Sequence, residues 1–409
     1  MIRVHGVYLF WPRRNQLKRG EKLQHPERED DPELEDILPL HKRGKTRMVS
    51  RCELKTVSDL RRIYTPGVAK VSQLIEAEPK QIYSHTSIGD TVAVMTNGTA
   101  VLGLGDVGVE ASMPVMEGKA VILMEMVDIS AIPLLVDTHN AEEFVQTASV
   151  VSPTFGAILL EDIAAPLCFE IENELKAKLD IAVFHDDQHG TAVVVLGALI
   201  NALNHTGKEP EEVTAVINGA GAAGWAIARF MLEYGVNDVV LCDRSGAIYR
   251  GREEHMNEVK QKIAKDTNRS EEQGSLAEVM ESKDLFVGVS AAGLASKDMV
   301  RSMAPDPIVF AMANPIPEIW PDEAIDAGAA VATDGRHLNN ALGFPGIFRG
   351  ALDARASDIN DAMKIAASRT LANLAPEGEL VPDFMDRAVH QKVAAAVCEA
   401  ARDSGVARI

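Results

Sequence analysis

Short apolar runs alternate with longer segments of helical period along most of the chain, which is the pattern of an α/β protein. In the second half, the runs 213–217, 236–242, 285–289 and 308–312 each have the length of a buried strand. Helical segments separate them, so a doubly wound parallel sheet is expected. The predicted organisation is an N-terminal α/β domain over 34–188, followed by a Rossmann-type domain with C-terminal helices over 189–409.

Two apolar runs in the first half end in carboxylates. The run 158–160 continues into Glu161 and Asp162, and the run 181–184 continues through His185 into Asp186 and Asp187. The carboxyl ends of parallel strands meet at one edge of a sheet, so these acids can converge. A cluster of oxygen ligands suits Mg²⁺ or Mn²⁺. The alternative is that each acidic pair only begins a helix, where the helix dipole favours negative charge.

A glycine-rich loop follows the run 213–217. Gly219, Gly221 and Gly224 have dinucleotide-binding spacing, and Ala222 and Ala223 lie between them. The loop follows a predicted strand and opens a predicted helix, which is the context that this motif requires. The next strand ends at Asp243, whose carboxylate can accept hydrogen bonds from ribose hydroxyls and favours NAD. Arg244 could instead hold a 2′-phosphate, so NADP stays open.

Composition and charge indicate a small-molecule partner. The net charge is −19 and no long segment is basic, which argues against nucleic acid or an anionic membrane. Four cysteines, without metal or redox spacing, indicate reduced thiols in a cytoplasmic protein. No apolar run is long enough to cross a bilayer.

The first residues differ in character from the rest. Residues 1–30 carry an excess of basic side chains, and the short apolar stretch near the start lacks the length of a secretory signal. We predict a disordered leader over 1–33. An organellar transit peptide is the alternative.

Seven short motifs occur in the order typical of malic enzymes, and the chain resembles the short prokaryotic form of that family over roughly residues 38–401. They are Tyr64-Thr65-Pro66-Gly67, Leu102-Gly103-Leu104-Gly105-Asp106, Glu117-Gly118-Lys119, Leu160-Glu161-Asp162, Phe184-His185-Asp186-Asp187-Gln188-His189-Gly190-Thr191-Ala192, Ala313-Asn314-Pro315, and Asn339-Asn340 with Phe344-Pro345-Gly346. The chain departs from the longer forms at Thr99-Ala100, where they have a substrate-binding arginine.

The resemblance implies a function and a set of roles. The reaction would be oxidative decarboxylation of L-malate to pyruvate, through oxaloacetate, with reduction of NAD(P)⁺ in a homodimer or homotetramer. Metal ligands would be Glu161, Asp162 and Asp187. Catalytic roles would fall to Lys119 as general base, Tyr64 as general acid and Asp186 as the partner of Lys119. Asn314 and Asn340 would contact substrate beside the nicotinamide.

Two other functions fit parts of the same pattern. A metal-dependent oxaloacetate decarboxylase on the same fold would need the acids without the nucleotide, and the intact glycine loop argues against it. A non-catalytic nucleotide-binding protein would need the loop alone. The presence of Lys119 and of every predicted metal ligand argues against that second reading.

Overall fold

The computed structural model describes residues 34–101 and 104–409, together with the backbone of two short strands, β1 (Ile2–Val4) and β2 (Val7–Leu9). The other strands are β3 (Thr91–Thr96), β4 (Ser130–Leu135), β5 (Ala157–Leu160), β6 (Ala182–His185), β7 (Thr214–Asn218), β8 (Asp238–Asp243), β9 (Gly246–Ala247), β10 (Leu285–Gly288), β11 (Ile308–Ala311) and β12 (Val331–Asp334).

Helices of the first half are α1 (Leu34–His41), α2 (Val57–Ile63), α3 (Gly67–Ala77), α4 (Ile82–His85), α5 (Met113–Val127), α6 (Ala141–Val151), α7 (Leu167–Lys178) and α8 (Asp186–Thr206). Those of the second half are α9 (Ala222–Tyr234), α10 (Glu258–Asp266), α11 (Leu276–Met280), α12 (Lys297–Arg301), α13 (Pro321–Ala327), α14 (Phe344–Asp353), α15 (Asp361–Leu374) and α16 (Arg387–Asp403).

The strands form two sheets, and the mixed α/β class agrees with the prediction. The smaller sheet has the order β4-β3-β5-β6 and is parallel throughout. The larger sheet has the order β1-β2-β12-β11-β10-β7-β8-β9, with a parallel centre from β12 to β8. Strand order reverses between β7 and β10, and ligands of such sheets bind outside the carboxyl ends of the strands at that switch point.

Helix α8 joins the two sheets. Its side chains from Ala192 to Leu203 are almost all buried, and they belong to one apolar cluster with residues of both sheets. A helix that is apolar on nearly every side must be covered on nearly every side. The predicted domain boundary at 188/189 falls in the first turn of this helix, and the division into domains stays a prediction.

Six residues of the predicted leader lie in two short strands, and the disorder of the leader stays a prediction. β1 pairs with β2 in an antiparallel hairpin, and β2 pairs with β12. This pairing covers a backbone edge of β12 that would otherwise expose unpaired N–H and C=O groups. The rest of the segment 1–33 lies outside the described residues.

In the part of the chain that the structure describes, no helix is both long enough and apolar enough to cross a membrane.

Candidate active site

The carboxylates at the ends of β5 and β6 meet, as the sequence predicts. The two strands are parallel neighbours, and Leu160 pairs in register with His185. Glu161, Asp162 and Asp187 each offer a carboxylate oxygen, and these oxygens lie within 4.8 Å of one another. The backbone N–H of Asp162 also donates to Oδ2 of Asp187 over 2.9 Å, which fixes the two strand ends relative to each other.

Asp162 lies in an unusual backbone conformation. Its φ is +54° and its side chain is buried. Aspartate tolerates the left-handed region better than most residues, but the conformation still costs free energy and needs support from its surroundings. The turn directs the chain away from β5 immediately after Glu161, so two consecutive acids stay at the same sheet edge.

Lys119 on α5 reaches into this cluster. Its ammonium lies 2.9 Å from Oε1 of Glu161 and also donates to Oδ2 of Asp186. The ring of Phe344, at the start of α14, lies 4.5 Å from the Lys119 nitrogen and covers it. Lys119 is buried, so its two carboxylate partners are what make the buried charge tolerable.

The cluster carries more negative than positive charge. Burial and the neighbouring acids raise the pKa of Glu161, and burial also raises the pKa of Asp186 against the attraction of Lys119. Burial would lower the pKa of Lys119, but Asp186 and Glu161 outweigh it and raise that pKa. Oε2 of Glu161 and Oδ1 of Asp186 are buried without a hydrogen-bond partner. Unpaired buried oxygens in an acidic cluster fit a bound divalent cation.

Gly190 and Asn340 complete the wall beside Asp186. A Cβ on Gly190 would come 1.9 Å from Oδ1 of Asp186 and 3.3 Å from Cβ of Asn340. A glycine is therefore required for the carboxylate to lie against the helix. The structure thus brings the predicted substrate residue Asn340 beside the lysine-bound aspartate.

The glycine-rich loop lies between β7 and α9. Gly219 follows β7 with φ +129°, and α9 begins directly after Gly221, at Ala222 and Ala223. A Cβ on Gly224 would come 1.8 Å from the carbonyl oxygen of Gly219, so the helix can approach the loop only with glycine there. The N-terminus of α9 is left open at the switch point, where backbone N–H groups and the helix dipole favour phosphate.

Asp243 ends β8 beside this loop, but its carboxylate already has partners. Arg252 donates to both oxygens over 2.7 and 2.8 Å, and Lys260 donates to Oδ2 over 2.6 Å. Burial opposes ionisation, yet the contacts with Lys260 and Arg252 lower the pKa of Asp243. Arg244, next along the chain, is exposed.

Two predicted site residues lie apart from the carboxylate cluster. The side chain of Tyr64, directly after α2, is 65% exposed, and among the described residues it makes no hydrogen bond to Lys119. Asn314 lies at the carboxyl end of β11 and is exposed, with its amide 3.4 Å from the carbonyl of Met312. Asn314 is therefore on the nucleotide edge, and the chain by itself does not bring Tyr64 to the lysine.

The histidines that flank the acids, His185 and His189, are both buried. His185 ends β6 and His189 lies on the first turn of α8, where its Nε2 is 2.8 Å from Oε1 of Glu172. Burial lowers the pKa of His189 to about 4. Sequence reasoning assigned no role to Glu172 and Arg252, which belong to no motif, or to Phe344, which lies in the last of the seven motifs.

Fold and site together define an α/β protein with a Rossmann-type sheet, an acidic metal-type site and a buried lysine. Comparison with known proteins agrees. Residues 41–176 match the malic enzyme N-terminal domain, and residues 188–338 and 330–402 match the malic enzyme NAD binding domain. The chain therefore belongs to the malic enzyme family.

Individual relatives are similar over most of their length. The chain is 50% identical over 387 residues to the bifunctional malic/malolactic enzyme of Bacillus subtilis, covering 92% of this chain and 94% of that protein. It is 48% identical to the NAD-dependent malic enzyme of Geobacillus stearothermophilus, covering 90% and 79%. The solved structure of NAD-dependent malic enzyme from Thermotoga maritima superposes with a TM-score of 0.86 at 41% identity, over 89% of this chain and 99% of that one.

Proposed function

We propose that the protein catalyses the oxidative decarboxylation of L-malate to pyruvate and CO₂ with reduction of NAD(P)⁺, in the presence of Mg²⁺ or Mn²⁺. The observation that carries the proposal is the contact of buried Lys119 with both Glu161 and Asp186, next to the converging oxygens of Glu161, Asp162 and Asp187. A base and a cation site at one sheet edge suit a 2-hydroxy acid, which can chelate a metal through its hydroxyl and carboxylate.

The cation would be held by Glu161, Asp162 and Asp187. When bound, it would polarise the oxygen on C2, and the nicotinamide would accept the hydride. Asp187 is the most exposed of the three acids, which leaves that side open to substrate. The other two are buried and fixed at the end of β5.

Lys119 would take the proton of the substrate hydroxyl. It can do so only as a neutral amine, and the two carboxylates that raise its pKa oppose this. A divalent cation among the same carboxylates adds positive charge next to the ammonium and favours its loss of a proton. Asp186 would orient the amine, and Tyr64 would return a proton to carbon after CO₂ leaves.

The adenosine ribose would lie beside Asp243, and we propose that NADP⁺ is accepted at least as well as NAD⁺. Arg252 and Lys260 already engage the carboxylate, so it is a weak acceptor for ribose hydroxyls. With Arg244 the neighbourhood has a net positive charge, which suits a 2′-phosphate. Lys260→Met should lower kcat/KM for NADP⁺ by roughly tenfold and leave the NAD⁺ value nearly unchanged, since one charged hydrogen bond is lost.

The segment from α1 to α3 would be the surface of self-association in a homodimer or homotetramer. No residue of α1, α2 or α3 is buried, and the exposed residues of these helices include the apolar side chains of Leu60, Ile63 and Val68. Exposed apolar residues grouped in one segment of the chain indicate an interface. Tyr64 lies within it, so its role as proton donor depends on where association places it.

The four cysteines are free, and Cys168, Cys242 and Cys398 are buried. Unpaired thiols in a folded chain support a reducing, cytoplasmic compartment.

The test of the proposed function is an assay with L-malate, Mn²⁺ and either NAD⁺ or NADP⁺, in which reduced nucleotide and pyruvate are both measured. The two products should appear in equal amounts, and chelation of the metal should stop both. Decarboxylation of oxaloacetate without any nucleotide reduction from malate would favour the lyase instead. Nucleotide binding without either reaction would favour a non-catalytic protein.

A further inference from the structure

The first turn of α8 carries two consecutive pairs of polar residues. Asp186 and Asp187 face the site, and the next two residues, Gln188 and His189, face α7. Both of the latter donate to one carboxylate, that of Glu172: His189 Nε2 over 2.8 Å and Gln188 Nε2 over 3.2 Å. Consecutive helical residues turn by about 100° each, so fixing the second pair also fixes the direction of the first.

On the side of the site, Asp186 of this turn accepts from Lys119 and Asp187 accepts from the N–H of Asp162. The residue before the turn, His185, makes no capping hydrogen bond. The first N–H groups of a helix have no partner within the helix, so an uncapped first turn is its least constrained part. Glu172 holds this turn through the side chains of Gln188 and His189 and not through the backbone N–H groups of the turn.

Glu172 is itself held in a buried chain of alternating charges. Lys364 on α15 lies 3.3 Å from Nδ1 of His189. Because a lysine ammonium only donates, Nδ1 is the acceptor, and the ring proton is on Nε2, facing Glu172. On the other side, Lys176 lies 3.3 Å from Glu172 and 3.3 Å from Asp358. Lys364 also pairs with Asp361. The two ends of this series of charged side chains, Asp358 and Asp361, therefore lie just before and at the start of α15.

We propose that Glu172 is a positioning residue for the divalent cation. It contacts none of the three predicted ligands, and it acts by fixing the rotation of the turn that carries Asp187. Outer-shell partners of metal ligands orient those ligands, and their loss typically weakens metal binding by about 10–100-fold. The inference rests on the proposed function, because it assumes the cation site of Glu161, Asp162 and Asp187.

A merely structural role would predict a different result. Loss of a buried carboxylate that only supports the fold would lower stability and affect every ligand alike. A positioning role weakens Mn²⁺ binding and leaves nucleotide binding unchanged, since no hydrogen bond or ion pair joins Glu172 to the glycine loop before α9 among the described residues.

The experiment measures Mn²⁺ and NADP⁺ binding by isothermal titration calorimetry for the full chain and its variants, with thermal melts to confirm folding. Glu172→Leu removes both hydrogen bonds of the turn. Glu172→Gln keeps one acceptor oxygen and should restore part of the affinity. The matched control is Glu174→Gln on the same helix, where the carboxylate is partly exposed to solvent and pairs with Lys178.

For Glu172→Leu we expect the Mn²⁺ dissociation constant to rise by about 10–100-fold, with the NADP⁺ constant within roughly twofold of wild type, as for independent sites. Glu174→Gln should match wild type for both ligands. Equal Mn²⁺ affinity in wild type and a folded Glu172→Leu would overturn the inference, as would an equal loss of both affinities.

If Glu172→Leu does not fold, Glu172→Gln decides. A selective loss of Mn²⁺ affinity then supports the inference, and unchanged affinity contradicts it. A wild-type protein that binds no Mn²⁺ at all would remove the proposed metal site itself, which is a different outcome from failure of the positioning role.

Discussion

At the scale of single residues, Lys119 carries the largest part of the account. It is buried between Glu161 and Asp186 and covered by Phe344. Burying the charge of a lysine costs free energy, and here only the two carboxylate partners offset that cost. We therefore assign it chemistry rather than a role in folding.

Lys119→Met should abolish most of the activity without loss of metal binding. General-base catalysis typically contributes 10²–10⁴-fold, so we expect kcat to fall by about that factor. Mn²⁺ affinity should not weaken, because the substitution removes a competing cation from Glu161. Steady-state kinetics and calorimetry check the two parts, with Lys178→Met on the surface of α7 as the control. A kcat within a few-fold of wild type would exclude Lys119 as the base.

His189 makes the stability of the fold sensitive to acid. Its pKa is lowered by burial to about 4, compared with about 6.5 in an unfolded chain. Between these values the unfolded state takes up a proton that the folded state refuses, so the free energy of unfolding falls as the pH decreases from 6.5 towards 4. At 1.36 kcal/mol per unit, the total is about 3 kcal/mol.

Urea denaturation at several pH values tests this sign. The wild type should lose stability through that window, and Glu172, whose pKa is lowered by its contacts against the effect of burial, adds a further loss below its unfolded value. His189→Gln keeps a donor for Glu172 but does not titrate, so its curve should be flatter between pH 6.5 and 4. Parallel curves for the two proteins would show that His189 is not the group responsible.

At the scale of elements, α8 combines two tasks. Its long apolar part packs between the sheets, and its first turn carries the acids of the site. The acids at the start also suit the positive end of the helix dipole. A substitution in the first turn of α8 should therefore lower catalytic activity more than it lowers the stability of the fold.

Gly190→Ala is the sharpest change to that first turn. The added Cβ would lie 1.9 Å from Oδ1 of Asp186, so the carboxylate must turn away from Lys119. We expect kcat to fall by roughly tenfold or more, as for a misplaced catalytic group. The intrinsic helix propensity of alanine should offset part of any loss of stability. Unchanged kcat in a folded Gly190→Ala protein would mean that Asp186 does not need its observed orientation.

Local patterns gave the elements that carry the site. The apolar runs before Glu161 and before Asp186 form β5 and β6, and the run before Gly219 forms β7, because buried parallel strands leave a nearly continuous apolar signature. The spacing of Gly219, Gly221 and Gly224 likewise reports a local turn and a close helix approach.

What the sequence could not give depends on side-chain contacts that no local spacing specifies. Arg252 and Lys260 on Asp243, and Glu172 on His189, involve side chains whose partners are chosen by packing. The exposure of Tyr64 could not be predicted either. Its motif indicates a turn after α2 but does not show which residues pack against the tyrosine. The strands β1 and β2 were missed because their partner is the edge of β12, far along the chain.

At the scale of the whole molecule, the segment from α1 to α3 is the feature that one chain does not explain. Its apolar residues face solvent, and burying each of them in an interface would be favourable by about 1 kcal/mol or more. Self-association of the chain would remove this surface from water.

Val57→Glu should disrupt that association. Val57 on α2 is 67% exposed, and so is Val150 on α6, which makes Val150→Glu a matched control outside the segment. Light scattering after gel filtration should report a dimer or larger assembly for wild type and Val150→Glu, and a smaller species for Val57→Glu. Malate oxidation should fall in the same variant if association places Tyr64. An unchanged mass for Val57→Glu would assign the interface to another surface.

The most direct measurement is an anomalous-difference map from crystals of this protein grown with Mn²⁺ and a non-reactive 2-hydroxy acid analogue. The account predicts one strong peak within about 2.0–2.3 Å of oxygens from Glu161, Asp162 and Asp187, with the 2-oxygen of the analogue in hydrogen-bond reach of Lys119. A peak elsewhere, or an analogue bound away from Lys119, would contradict it.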